Sequence, residues 1–223
     1  MLKLKHKLML LSICLVSSLA QAGTSFKLHP GDLLFQDLNC GELCNGIDAV
    51  TYGYQHSYIS HMAMVVSTTP SAMVIEAITP GVVMTPVAEF LRRSLDSQQR
   101  PRVIVGRITA AYQHLIPGAI RQAQLQLGKP YNASFIPAAA QAFYCSELIE
   151  YAFKQANQQQ AVFKRQPMNF AAPNTQQITP GWQKYYAQLQ IAVPQGSLGS
   201  NPGEISRESS LQIVHVYGQL RHP

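Results

Sequence analysis

The chain has 223 residues, 47% of them apolar and 13% charged, with 17 Lys+Arg against 11 Asp+Glu. That is apolar enough for one proper core and excludes a disordered chain. Three of the cations lie within residues 1–22, and the 14 that remain are scattered without the stripe that nucleic-acid binding uses.

Residues 1–22 read as a targeting segment. Lys3, Lys5 and Lys7 form a basic n-region, Leu8 to Leu19 an apolar h-region, and Ala20-Gln21-Ala22 an A-x-A cleavage site. This is the pattern of a secretory signal peptide, too short for a membrane span, and no later run is long enough either. The expectation is a single domain over 23–223, periplasmic or secreted, without stable membrane insertion.

Pro30-Gly31-Asp32 punctuates the start, and Leu33-Leu34-Phe35 is a strand. Gln36 to Ser60 lacks sustained periodicity, although Gly46 to Tyr54 has the makings of a short helix. This long loop carries Cys40 and Cys44. With Cys145 they make an odd count once the first segment is removed, which in an oxidising compartment means one pair and a free thiol, or an intermolecular bond. Cys40 and Cys44 are read as a disulfide in preference to a metal pair, because no nearby His or second Cys pair completes four ligands.

Ser60 to Val66 is a strand with His61 at its entrance. Thr68 to Ala72 turns, and Met73 to Ile78 is a second strand in which Glu76 is the lone charge. In an antiparallel pair with an even-length loop, residues whose numbers sum to an odd value share a face, and His61 and Glu76 satisfy this. A turn at Thr68-Thr69 sets them directly opposite. One centred on Pro70-Ser71 offsets them by about four residues, or about 13 Å. The sequence leaves both registers open, and a solvent-facing Glu76 is the plainer alternative.

Val82 to Met84 makes a third strand. Thr85 is read as capping a helix with Pro86 at its first position, running to about Arg93. Arg102 to Ile108 is another strand. Ile116 to Leu127 is an amphipathic helix stopped by Gly128 and Pro130. After a loop over Tyr131 to Gln141, apolar residues at 148, 149, 152 and 153 mark a helix with Cys145 in its first turn. There the unpaired N–H groups and the dipole favour a thiolate. Trp182, Tyr185 and Tyr186 read as a satellite packing cluster. Irregular structure follows to Ser210, and Leu211 to Tyr217 is the last strand.

A thiol nucleophile needs a base, and the base an orienter. Of seven histidines, His61 alone sits at a strand mouth with an acid at matching parity, so Cys145, His61 and Glu76 form the leading set; His215, inside the last strand, stays open.

Gly31-Asp32-Leu33-Leu34-Phe35, Ser60-His61, Val74-Ile75-Glu76-Ala77, Gly81-Val82-Val83, Gly128-Lys129-Pro130-Tyr131 and Tyr144-Cys145-Ser146-Glu147-Leu148 occur in this order. Together they resemble the YiiX-like branch of the circularly permuted papain-like hydrolases, related to the NlpC-type cell-wall peptidases and the lecithin:retinol acyltransferase-like enzymes. The resemblance covers roughly residues 30–156. It implies an α+β fold, an antiparallel sheet packed against helices, with the histidine strand preceding the cysteine helix as a permuted chain requires. It implies Cys145 as nucleophile, His61 as general base and Glu76 as orienter. It also implies an oxyanion site at the Cys145 N–H, helped by Tyr144 or Tyr131, and no metal or organic cofactor. The substrate implied is an amide, a peptide or cell-wall peptide. An ester or lipid acyl substrate, for a hydrolase or an acyltransferase, is the closest rival. A silent binding protein of the same fold is the alternative of another class, and a redox relay of the three cysteines a third. The long loop at 36–59 departs from the branch and bears on the shape of the cleft.

Overall fold

The computed structural model describes residues 26–223. The expected signal peptide lies outside the described residues. The strands are β1 (Leu33–Gln36), β2 (His61–Ser67), β3 (Met73–Ile78), β4 (Gly81–Pro86), β5 (Val103–Ile108), the short β6 (Gln166–Pro167) and β7 (Leu198–Gly199), and β8 (Leu211–Val216). The helices are α1 (Glu42–Asp48), α2 (Val87–Arg92), α3 (Ile116–Gln124), α4 (Cys145–Ala156), α5 (Pro180–Leu189) and α6 (Pro202–Ile205). Six strands form one antiparallel sheet in the order β4-β3-β2-β1-β5-β8, and β6 pairs with β7 apart from it.

The central strands read as continuous apolar runs because both faces of the sheet are covered. On one face Leu33, Phe35, Met62, Met64, Ile75 and Ala77 pack with Leu148, Ile149, Ala152 and Phe153 of α4 and Ala119 and Ala123 of α3. On the other, Leu34, Ala63, Val65, Val74, Val103 and Val105 pack with Val87 and Phe90 around α2. The four apolar residues of α4 are fully buried. The three large ones, Leu148, Ile149 and Phe153, contribute about 1.5–3 kcal/mol each. Asp32, after the opening turn, is buried and gripped by Arg107 of β5 at 2.7 and 2.8 Å, a structural pair at the sheet's centre.

The segment before α4 is laid against the sheet edge. Val82 N–H donates to the Lys129 carbonyl, Gly128 N–H to that of Val82, and Tyr131 N–H to that of Pro80. A Cβ on Gly81 would collide with the Lys129 carbonyl oxygen, so only glycine allows this approach. Tyr131 is thereby delivered beside the start of α4.

Three local expectations differ. The short helix of the long loop lies at Glu42–Asp48 rather than Gly46 to Tyr54. Thr85 is a strand residue of β4, and Pro86 takes the N-cap position of α2. The aromatics at 182, 185 and 186 belong to a ten-residue helix, α5, with Pro180 at its first position.

Candidate active site

Cys145 is the first residue of α4, and its N–H therefore has no intrahelical acceptor. The turn is fixed by Glu147, whose buried carboxylate accepts from the N–H of Tyr144 (3.4 Å), the N–H of Ala138 (3.3 Å) and Asn132 Nδ2 (3.1 Å). Burial raises the Glu147 pKa against these donors. Cys145 itself is a free, buried thiol.

His61 opens β2 and is 5% exposed. That position lets one ring touch both layers. It stands 5.9 Å from the Phe90 ring of the α2 layer and neighbours Cys145 of the α4 layer closely enough for the thiol to raise its pKa. Its Nε2 lies 2.6 Å from Glu76 Oε2, which leaves Nδ1 for the sulfur. Burial pulls the His61 pKa down, but the neighbouring Cys145 and the hydrogen-bonded Glu76 overcome it and carry the value up to about 9.

The hairpin takes a register between the two expected ones. Met64 pairs with Ile75 and Val65 with Val74, which sets Glu76 opposite Ala63, two residues from His61. A bulge between Val65 and Ser67 shifts the ladder before the turn. Diagonal neighbours on one face are within reach of long side chains, so the shared parity suffices.

Glu76 is fully buried, which raises its pKa, yet hydrogen bonds from His61 and Arg93 drive it down to about 2. Arg93 Nη1 donates to Oε2 and Nη2 lies against Oε1, both at 2.8 Å, while Thr85 Oγ1 donates to Oε1 at 2.5 Å. Thr85 and Arg93 do not stand out in the sequence as site residues. The signal was there to read: a lone Glu inside a buried strand demands a cation, and Arg92 and Arg93 are the first to follow it.

Tyr131 lines the cleft beside Cys145, and burial lifts its pKa well above the usual phenol range. Tyr144 also lines it, with its hydroxyl accepting from Ser200 N–H at 3.1 Å. Cys40 and Cys44 are joined by a disulfide. His215 stacks on Phe26 at 4.3 Å, outside the group around Cys145.

An open cleft of about 570 Å³, its solvent-filled mouth included, leads to Cys145. Its walls are Ile47 of α1, Val50 just after that helix, Trp182 of α5, and Tyr131, Phe135, Met168, Phe170 and Pro202. None of the lining residues is charged. The hydroxyls of Thr51, Ser60 and Ser146 donate to the carbonyls of Ile47, Leu38 and Ser200, whereas the buried Ser200 hydroxyl has no partner within the protein. Trp182 is more than packing: it walls the cleft, and its indole N–H donates to the Gly46 carbonyl at 2.9 Å.

The model of the family described as permuted papain-like amidase enzyme, YaeF/YiiX, C92 family, matches residues 27–215. Among solved structures the chain is similar to the crystal structure of the metalloprotein yiiX from Escherichia coli O157:H7. The TM-score is 0.68 and the identity 20%, over 89% of this chain and 100% of that one. No curated protein matches the chain.

Proposed function

The chain belongs to the permuted papain-like amidases of the YaeF/YiiX, C92 family, and from that premise we propose that it is a cysteine amidase with Cys145 as nucleophile, His61 as general base and acid, and Glu76 as the orienting group. The observation that carries this is one buried ring set beside a free helix-start thiol and hydrogen-bonded to a buried carboxylate, at the end of an open cleft.

In the first step the Cys145 thiolate attacks the amide carbonyl, forming a C–S bond and a tetrahedral oxyanion. The Cys145 N–H, free at the helix start, would stabilise that charge, with the Tyr131 hydroxyl, which lines the same cleft, as second donor. His61, as imidazolium, gives its proton to the leaving nitrogen as the C–N bond breaks. The neutral ring then takes a proton from water, whose oxygen attacks the thioester. The C–S bond breaks, the carboxylic acid leaves, and the thiolate–imidazolium pair is restored.

The cleft bears on the acyl group. Its walls are uncharged and largely apolar, so an apolar acyl group fits, and an acidic cell-wall peptide would find no cation on them. The same walls keep an ester or lipid acyl substrate as the second reading. The yiiX protein is described as a metalloprotein. Among the described residues of this chain no group of three or more His, Cys, Asp or Glu is arranged to hold a metal ion, and no step here runs through one. Export is part of the proposal. It is supported by the basic, apolar and A-x-A pattern of residues 1–22 and by the Cys40–Cys44 bond, which an oxidising compartment sustains. Among the described residues no helix is long and apolar enough to cross a membrane.

The test is iodoacetamide labelling of Cys145 against pH, followed by an amide and ester panel. Rapid labelling at pH 6 that falls by roughly 10²-fold in His61→Ala is expected, because the base holds the thiolate. Cys145→Ala should abolish turnover. Slow labelling in both proteins, rising only near the ordinary thiol value of about 8.5, would leave a binding protein. Within the panel, each added methylene of the acyl chain should raise kcat/KM by about fourfold until the cleft is full, from about 0.8 kcal/mol per buried CH₂.

A further inference from the structure

On that reading of the site, we propose that Arg93 is a positioning residue of the reaction, holding both oxygens of Glu76 in the orientation the His61 ring requires, with α2 as the brace that carries it. The donor count around Glu76 is the starting point. Oε2 receives hydrogen bonds from His61 Nε2 and Arg93 Nη1, and Oε1 receives one from Thr85 Oγ1 and lies 2.8 Å from Arg93 Nη2 as an ion pair. The carboxylate is thus fixed in plane and in rotation by a two-pronged grip that only a guanidinium offers. Thr85 alone fixes one oxygen and leaves the other free to follow the ring.

The element bearing Arg93 is itself tied to the site. Phe90, one turn earlier, stands against the His61 ring, and the Arg93 guanidinium lies 5.7 Å from the centre of the Phe90 ring. Gln36, paired with His61 across the β1–β2 ladder, donates from Nε2 to the Phe90 carbonyl at 2.8 Å. The imidazole and its orienter are therefore held from behind by residues of one short helix and its C-terminal neighbour. Glu89 approaches Arg93 at 3.5 Å from the solvent side and is more than half exposed, so it competes weakly for the guanidinium.

A buried carboxylate between a histidine and an arginine also gains charge balance. Without Arg93, Glu76 keeps His61 and Thr85 as partners, with Cys145 acting on it through the ring. It loses a hydrogen bond, a close ion-pair contact and a fixed positive charge in a site where burial favours its neutral form. Protonated Glu76 no longer supports an imidazolium, so the loss should appear on the acid side. A merely structural role would lower reactivity evenly at all pH values.

The experiment is the pH profile of iodoacetamide labelling at Cys145 in wild type, His61→Ala, Arg93→Ala and Arg93→Lys, with thermal melting to verify folding. Labelling of Arg93→Ala at pH 5 should fall by about tenfold or more relative to wild type, because a buried carboxyl stripped of its cation titrates above that pH, and one whose pKa lies one above the pH is only about one-tenth ionised. At pH 8 the two should agree within about threefold on the same scale. Arg93→Lys keeps the charge without the fork and should fall between them. Guanidinium ion at low, non-denaturing concentration should restore Arg93→Ala at pH 5, since the arginine side chain is 21% exposed and its site is reachable. A mutant-to-wild-type ratio constant across pH, or failure of both Lys and guanidinium to restore the acid side, overturns the proposal while the amidase reading stands. Wild type labelling as slowly as His61→Ala at pH 6 would sink the amidase reading first, and Arg93 with it.

Discussion

His61 and Glu76 titrate far apart, and the distance sets where the site works. The pKa of His61 is raised to about 9 by Cys145 and Glu76 against burial, so its contribution to stability is complete below the ordinary value of 6.5 and is lost as pH rises through about 9. The pKa of Glu76 is lowered to about 2, so its contribution is complete above 4.5 and is lost as pH falls through about 2. Both operate fully between 4.5 and 6.5. The alkaline limb of kcat/KM is expected near pH 9, where His61 no longer carries the proton for the leaving nitrogen. Glu76→Gln should move that limb to a pH lower by at least about one and reduce kcat/KM by roughly 10²-fold or more; an unmoved limb would mean that Glu76 does not act through the ring. At this scale the sequence was informative about parity and uninformative about partners. Alternation alone puts 61 and 76 on one face. The bulge that decides their offset depends on the local ladder, and Thr85 looked like a cap because capping and side-chain donation draw on the same residue types.

At the scale of elements, the cleft wall is where sequence reading had least to work with. The residues at 182, 185, 186 and 189 do have helical spacing behind Pro180, but a glutamine-rich, polar surround hides it. Helix α1 is seven residues long with no side-chain cap, so propensity says little. It stays folded through the Cys40–Cys44 bond, the Trp182 hydrogen bond to Gly46 and the Lys184–Glu42 pair. Opening the disulfide by Cys40→Ser should cost about 2 kcal/mol for so short a loop, roughly 4–8 °C in Tm, while Cys145 labelling at pH 6 keeps its wild-type rate. A redox relay requires that rate, or turnover, to collapse.

Across the whole molecule, the two ends of the described chain are locked together by charge. Asp37 at the end of β1 and Asp48 at the end of α1 are buried, and both are met by Arg221 from the final segment, Asp48 at 2.8 Å. Burial, helped by the negative charge of Asp37, raises the Asp48 pKa to about 6 against the pull of Arg221. Because the pKa moves upward on folding, ionised Asp48 costs stability as pH rises from 3.8 to about 6. Arg221→Ala leaves two buried carboxylates without their cation. It should cost roughly 3 kcal/mol, the lower end of the range for broken buried pairs because Arg221 is a third exposed, read as a thermal melt. No sequence pattern ties residue 221 to residues 37 and 48, since a contact of that separation has no period to betray it. The fold class was legible for the opposite reason: the strand runs, the helix-start cysteine and the order of the short motifs are all local.

That order has a consequence during synthesis. His61, Glu76, Thr85 and Arg93 lie within one continuous stretch and meet through neighbouring strands and a single short helix. The chain emerges amino end first, and local units form as they appear. The proposed base, orienter and brace thus precede the proposed nucleophile along the chain. Cys40 and Cys44, four residues apart, also both precede Cys145 and are joined to each other. On the proposed reading the chain assembles its activating residues around an empty seat, and the thiol that must stay unpaired arrives after Cys40 and Cys44 have each other as the nearest partner.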